Sequence, residues 1–232
     1  AIRRGREMLR ETVATTSASV AEEPDWYLVD LAVWNSLSDQ IQIVSLRKKG
    51  MNIRVLTPEV EEGTIRVVSS ARLYSQYKVT SPTGTSMVVG VKYPLYKEIK
   101  KGKQTSYSKE DVVYTQYSAD LQTEEMTTWG KAYLDGALRD VYLQLEEKKI
   151  ASTAFSDRLI NEVIHPNLPK AVMLIEQSDR QSLEQNPQQV LQRFYTTIGA
   201  NEDRAYAYVE SPMGAGGPAQ FMPSTYRLLA KQ

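Results

Sequence analysis

The hydrophobic period changes along this chain, and that change restricts the fold more than any single residue does. Between Arg72 and Tyr93 the apolar side chains alternate. Leu73, Tyr77 and Val79 fall on one face and Arg72, Gln76 and Lys78 on the other, and Met87, Val89, Val91 and Tyr93 resume the pattern after the Ser81-Pro82-Thr83-Gly84 turn cluster. From Thr123 to Lys149 the steps are three and four instead, with Met126, Trp129, Tyr133, Ala137, Val141 and Leu145 in one stripe. Alternation requires strands and the longer step requires a helix. The sequence therefore predicts the α+β class: a small antiparallel sheet of three or four strands with flanking helices, followed by an α-rich part.

Weaker signals extend this outline. Residues 5–16 predict a short helix, with Thr15, Thr16, Ser17 and Ser19 marking a loop after it. From Asp25 to Lys49, Tyr27, Leu31, Trp34, Ile41 and Val44 return at helical intervals, and Gly50 stands where a helix would stop. Ile53 and Val55, then Ile65 and Val67, read as short strands around a turn at Glu62-Gly63; Lys97–Lys109 reads as an exposed basic loop. A helix over Ala154–Val163 is expected to break at Ile164-His165-Pro166-Asn167-Leu168-Pro169, with Pro169 in the first turn of the next helix and His165 a turn residue. The expected boundary lies near residue 150. It separates an accessory α+β region (1–150) from a helical one (151–232), although the helix at 123–149 is able to pack on either.

Charge and composition remove several function classes. Lysine plus arginine equals aspartate plus glutamate, 28 against 28, so no net field draws the chain to nucleic acid or acidic lipid. There is no cysteine and a single histidine, His165, which rules out thiolate and histidine-cluster metal sites within the chain. No apolar run approaches the roughly 20 residues of a membrane-spanning helix, and the start Ala1-Ile2-Arg3-Arg4 carries no visible targeting signal.

The segment from Ser211 onward carries the chemistry. Ser211, Pro212, Gly214, Ala215, Gly217, Gln220, Met222, Pro223 and Thr225 fit the form SPxGAxGxxQxMPxT in register. The last quarter of the chain thereby resembles the catalytic module of SLT-type lytic transglycosylases, of the lysozyme-like superfamily. The resemblance implies that an apolar helix delivers a catalytic glutamate ahead of this segment. Glu176, at the end of Ala171-Val172-Met173-Leu174-Ile175, matches that position. Glu210 forms a Glu-Ser pair with Ser211, but Ser211 already belongs to the downstream segment. Two departures stand out. Gln177 occupies the usual serine position, with Ser178 one step later, and Glu176 and Gln220 lie 44 positions apart, a longer interval than the family's. The excess, near 180–208, reads as an inserted helical hairpin with Gly199 capping its first helix.

The resemblance implies a peptidoglycan lytic transglycosylase that cleaves the MurNAc-GlcNAc β-1,4 bond and leaves a 1,6-anhydromuramoyl end, with no cofactor and no metal. Glu176 would act first as acid and then as base. An apolar pocket at the end of Ala171–Ile175 would raise its pKa so that a proton is present near neutral pH. Ser211, Gly217, Gln220 and Met222 would line the saccharide groove, with Gly214 and Gly217 admitting close backbone approach; Ser211 and Gln220 are equally able to serve loop backbone groups. Ser224 is expected to cap a last helix, Thr225–Lys231. The implied partner is the peptidoglycan glycan strand, the implied place the cell envelope, and an envelope-complex or phage-particle partner fits as well. The family continues with further helices, so an incomplete lysozyme-like module is expected. Two other readings stay open: a hydrolytic muramidase with Glu210 or Asp179 positioning water, and a non-catalytic peptidoglycan-binding or assembly protein.

Overall fold

The computed structural model describes residues 1–12, 19–20, 22–61, 63–70, 74–80, 86–102, 104–211 and 213–229. The turn clusters read at 15–17 and 81–84, the Arg72-Leu73 start of the alternating run, Glu62 and Pro212 lie outside the described residues. The chain divides into two compact units, Ala1–Asp120 and Leu121–Gln232. The boundary thus falls before the long helix rather than near residue 150, because that helix packs on a later helix of the second unit.

Unit 1 begins with helix α1 (Ile2–Glu11) and continues with β1 (Ser19–Val20), β2 (Tyr27–Asn35), β3 (Gln40–Lys49), β4 (Asn52–Val55), β5 (Ile65–Ser69), β6 (Gln76–Val79), β7 (Ser86–Lys101) and β8 (Gln104–Tyr114). Six strands form one antiparallel sheet in the order β1-β8-β7-β2-β3-β4, and β5 pairs with β6 separately. The helix expected over Asp25–Lys49 is instead the β2–β3 hairpin, in register from Tyr27↔Lys48 to Asn35↔Gln40. Val29, Leu31, Val44 and Leu46 are buried on one face of the hairpin, and Ala32 is buried on the other with Trp34, Ile41 and Ile43 packed beside it, so apolar residues fall on both faces and the alternation that betrays a one-sided strand is lost. Gly50, with φ +58°, makes the β3–β4 turn and stops no helix. The Lys97–Lys109 stretch is likewise a hairpin, paired down to Lys101↔Gln104 and turned at Gly102.

One sheet face carries α1. Leu9 is buried against Ala32 and Val89, and at the helix end the Lys92 ammonium donates to the Thr12 carbonyl. Lys92 also lies 3.8 Å from the Asp30 carboxylate, which accepts the Ser45 hydroxyl at 2.6 Å. Around the β5–β6 pair, the Gln116 amide stands in for a strand neighbour, accepting from the Tyr77 N–H (2.8 Å) and donating to its carbonyl (2.7 Å).

Unit 2 contains α2 (Glu124–Glu147), α3 (Ile160–Val163), α4 (Asn167–Glu176), α5 (Arg180–Gln185), α6 (Pro187–Asn201) and α7 (Pro223–Leu229). Thr123 caps α2 by accepting from the Met126 N–H at 3.1 Å, and Glu124 and Glu125 favour its positive end. The face α2 buries is not the stripe read from the sequence. Gly130 and Leu134 are buried while Trp129 is 53% and Val141 47% exposed, so Trp129 is not core. Helix α6 comes so close at Gly130 that a Cβ there would lie 1.9 Å from the Tyr195 carbonyl oxygen. Gly199 faces it from inside α6, where a Cβ would lie 2.6 Å from the Met126 carbonyl oxygen; it caps nothing. Beyond the crossing Leu134, Phe194, Ile198 and Ala205 form a core on which Met173 and Leu174 of α4 pack. The region from Ala154 is helical only at Ile160–Val163, because Ser152 folds the chain back by accepting from the Ala154 and Phe155 N–H groups (both 3.2 Å). His165 is a turn residue, its Nδ1 accepting from the Asn167 N–H at 3.2 Å.

The crossing makes paired predictions. Gly130→Ala is expected to lower stability by about 3 kcal/mol or more, since the clash is with backbone. Gly136→Ala, on the same helix with no atom closer than 4.0 Å, is expected to raise it by about 0.5–1 kcal/mol; urea denaturation distinguishes them. A second test concerns Tyr206, stacked on Phe194 at 5.7 Å, whose hydroxyl burial pushes its pKa up to about 12. Its folded-state pKa is raised, so its contribution is intact below pH about 10 and is lost as pH rises towards 12. Relative to Tyr206→Phe, the wild type is expected to lose on the order of 2 kcal/mol over that interval, read from unfolding curves at successive pH values.

Candidate functional site

Helix α4 forms because Pro169 sits in its first turn and Met173 and Leu174 supply a face for the unit 2 core. Lys170 adds an ion pair to Asp135 of α2. With that face inward, Leu168, Val172 and Ile175 turn outward at 55%, 37% and 59% exposure. Glu176 closes the helix and is exposed. The apolar pocket anticipated around its carboxyl group is therefore not formed by α4 itself: the run Ala171–Ile175 divides between the core and solvent.

The next residue ties this helix end to the Gly-rich segment. The Gln177 side-chain amide donates to the carbonyls of Gly217 (3.2 Å) and Pro218 (2.9 Å), 40 and 41 residues along the chain. The departure at Gln177 thus has a structural role that serine is too short to fill. Ser178 turns back to the Leu174 carbonyl at 2.6 Å, and Asp179 caps α5 by accepting from the Ser182 N–H at 2.7 Å. Hydrogen bonding from Ser182, by its side chain foremost and by its N–H next, holds the exposed Asp179 carboxyl below its usual pKa. Asp179 is a helix cap.

The Gly-rich segment is a tight fold of its own. Gly216 bridges to both Glu210 and Phe221, and the Ser211 N–H donates to the Ala215 carbonyl at 2.8 Å while the Ser211 hydroxyl accepts the Ala215 N–H at 3.0 Å. Gly214 (φ +80°) and Gly217 (φ +76°) take left-handed backbone that side chains disfavour. Gln220, also left-handed at φ +48°, donates to the Gly217 carbonyl at 2.8 Å and the Val209 carbonyl at 3.3 Å. The Gly217 carbonyl is accordingly a shared acceptor for Gln177 and Gln220. The Ser211 and Gln220 side chains are both engaged with loop backbone, the alternative open for them from the sequence. Met222 and Phe221 are each 41% exposed and Met213 is 79% exposed; Glu210 is exposed too. Helix α7 starts at Pro223, so Ser224 lies inside its first turn and does not cap it.

The structure thus ties the end of α4, which carries Glu176, to the Gly-rich segment through the Gln177 side chain and leaves Met222 presented to solvent. Among the described residues no group of His, Cys, Asp and Glu side chains could hold a metal ion, and no helix is long and apolar enough to cross a membrane. No family model, curated protein or solved structure matches the chain.

Gln177→Ala removes both tethering bonds and is expected to cost about 1–2 kcal/mol. Gln177→Glu is expected to cost more, because a carboxylate would face two carbonyl oxygens with nothing to donate. Amide hydrogen exchange in residues 214–221 should quicken in both variants, and faster in the glutamate one.

Proposed function

We propose that unit 2 belongs to a peptidoglycan lytic transglycosylase, with Glu176 donating a proton to the glycosidic oxygen and then withdrawing one from the muramoyl C6 hydroxyl. The reading is supported by the SPxGAxGxxQxMPxT segment and, above all, by the Gln177 tether, which holds the Glu176 helix end against that segment across 40 residues. The substrate is the glycan strand of peptidoglycan, the place of action the cell envelope, and neither cofactor nor nucleic acid takes part.

Glu176 is exposed, whereas a general acid works best in a site from which water is excluded. In this reading the substrate supplies the missing burial. A sugar ring lying over Glu176 would cover apolar surface at Val172 and Ile175 and would shield the carboxyl group beneath it from water. The exposure of Glu176 favours one other reading, a non-catalytic module that grips glycan through the same surface.

Mass spectrometry of purified peptidoglycan treated with the protein separates these. The expected products carry 1,6-anhydromuramoyl ends, and Glu176→Gln lowers their yield by a factor of about 100 or more. Reducing ends in their place would indicate a hydrolytic muramidase. Wall binding without released fragments, equal in the two proteins, would indicate a binder.

A further inference from the structure

In unit 1 a cavity of about 490 Å³ opens at the turn end of the β2–β3 hairpin, lined by the polar Asn35, Ser38, Gln40, Gln42 and Ser86 and the apolar Val33 and Ile41. The register explains the grouping. Asn35 sits opposite Gln40 on one side and Ser86 on the other, and Val33 lies opposite Gln42, so three adjacent strands present these side chains together. The rim is fixed. Asp39 takes left-handed backbone at φ +53° and accepts from Arg4 of α1 (2.6 Å) and from the Trp34 indole (2.8 Å). The Asn35 carbonyl oxygen is used by the Leu37 and Ser38 N–H groups at 2.9 and 3.2 Å, which orients its amide.

Two properties of the lining select a ligand. Among the described residues no charged side chain contributes to it, so a charged ligand would give up hydration without a counter-charge. Among the described residues no hydrogen bond occupies the side chains of Ser38, Gln40, Gln42 and Ser86, the first three exposed, so two amides and two hydroxyls face one hollow. An amide offers donor and acceptor side by side, and a hydroxyl offers both at one atom. That set matches vicinal hydroxyl and acetamido groups, and the Val33 side chain suits the C–H face of a sugar ring. The volume falls within the range of about 300–1,000 Å³ typical of small-molecule sites.

We propose that this cleft is a non-catalytic binding site for a neutral glycan bearing hydroxyl and N-acetyl groups. It belongs to unit 1 alone and does not depend on cleavage at Glu176. It would hold a glycan chain whether or not unit 2 breaks one.

The test is an NMR titration of the isotope-labelled full chain carrying Glu176→Gln, so that cleavage cannot consume the probe, with the tetramer of N-acetylglucosamine. Saturable shifts are expected at Val33, Asn35, Gln42 and Ser86, with a dissociation constant in the range of about 0.1–5 mM. Gln40→Ala with Gln42→Ala is expected to weaken binding by about tenfold or more, and Ser38→Ala, on the turn, by about fivefold. The same tetramer with its acetyl groups removed, now cationic, is expected to bind at least about tenfold more weakly. Absence of saturable shifts up to about 20 mM would overturn the proposal. So would equal affinity in the double-alanine chain, equal or tighter binding of the cationic tetramer, or shifts confined to unit 2. A glycan that binds here while the protein releases no anhydro ends would uphold this site and sink the catalytic reading of Glu176.

Discussion

The close crossing of α2 and α6 is the constraint on which unit 2 rests. Two glycines meet there with no room for a β-carbon on either, and the approach carries Leu134, Phe194 and Ile198 into one core. Helix α4 has no buried residue of its own and is held chiefly by Met173 and Leu174 against that core. Its end carries Glu176 and Gln177, and Gln177 in turn holds the Gly-rich segment. A change at the crossing is therefore transmitted to the carboxyl group through a short series of packed contacts, each weak alone.

Unit 1 solves a different problem. A sheet covered on both faces buries polar positions along with apolar ones, and each needs a partner. Lys92 is the clearest case: its ammonium is nearly buried and answers both the orphan carbonyl at the end of α1 and the Asp30 carboxylate. The same arrangement fixes where the helix stops. At the far end of the sheet the burial ends, and Ser38, Gln40, Gln42 and Ser86 are left around a hollow with side-chain hydrogen-bonding groups facing it.

The two carboxyl candidates are set apart by their surroundings rather than by their chemistry. Glu176 ends a helix whose outer face is apolar, whereas Glu210 is a backbone bridge partner inside the Gly-rich fold. Asp179 is committed to capping α5. Of the three, Glu176 alone adjoins apolar surface at Val172 and Ile175 that a ligand could cover.

The sequence by itself determined what depends on local pattern. The α+β class, the strands around Ile53, Ile65 and Val89 and the helix from Thr123 follow from period, capping and backbone preference, which act between near neighbours. The tertiary structure decided what depends on a surface supplied from elsewhere. Burial on both faces hid the β2–β3 hairpin behind a helical spacing. The α2 contact line ran through Gly130, which carries no hydrophobic signal, and so left Trp129 in solvent. Gln177 read as a departure from a motif until two carbonyls 40 residues away gave its amide a use. A residue's type fixes what it is able to donate, accept or bury; only the fold brings the group that answers it within reach.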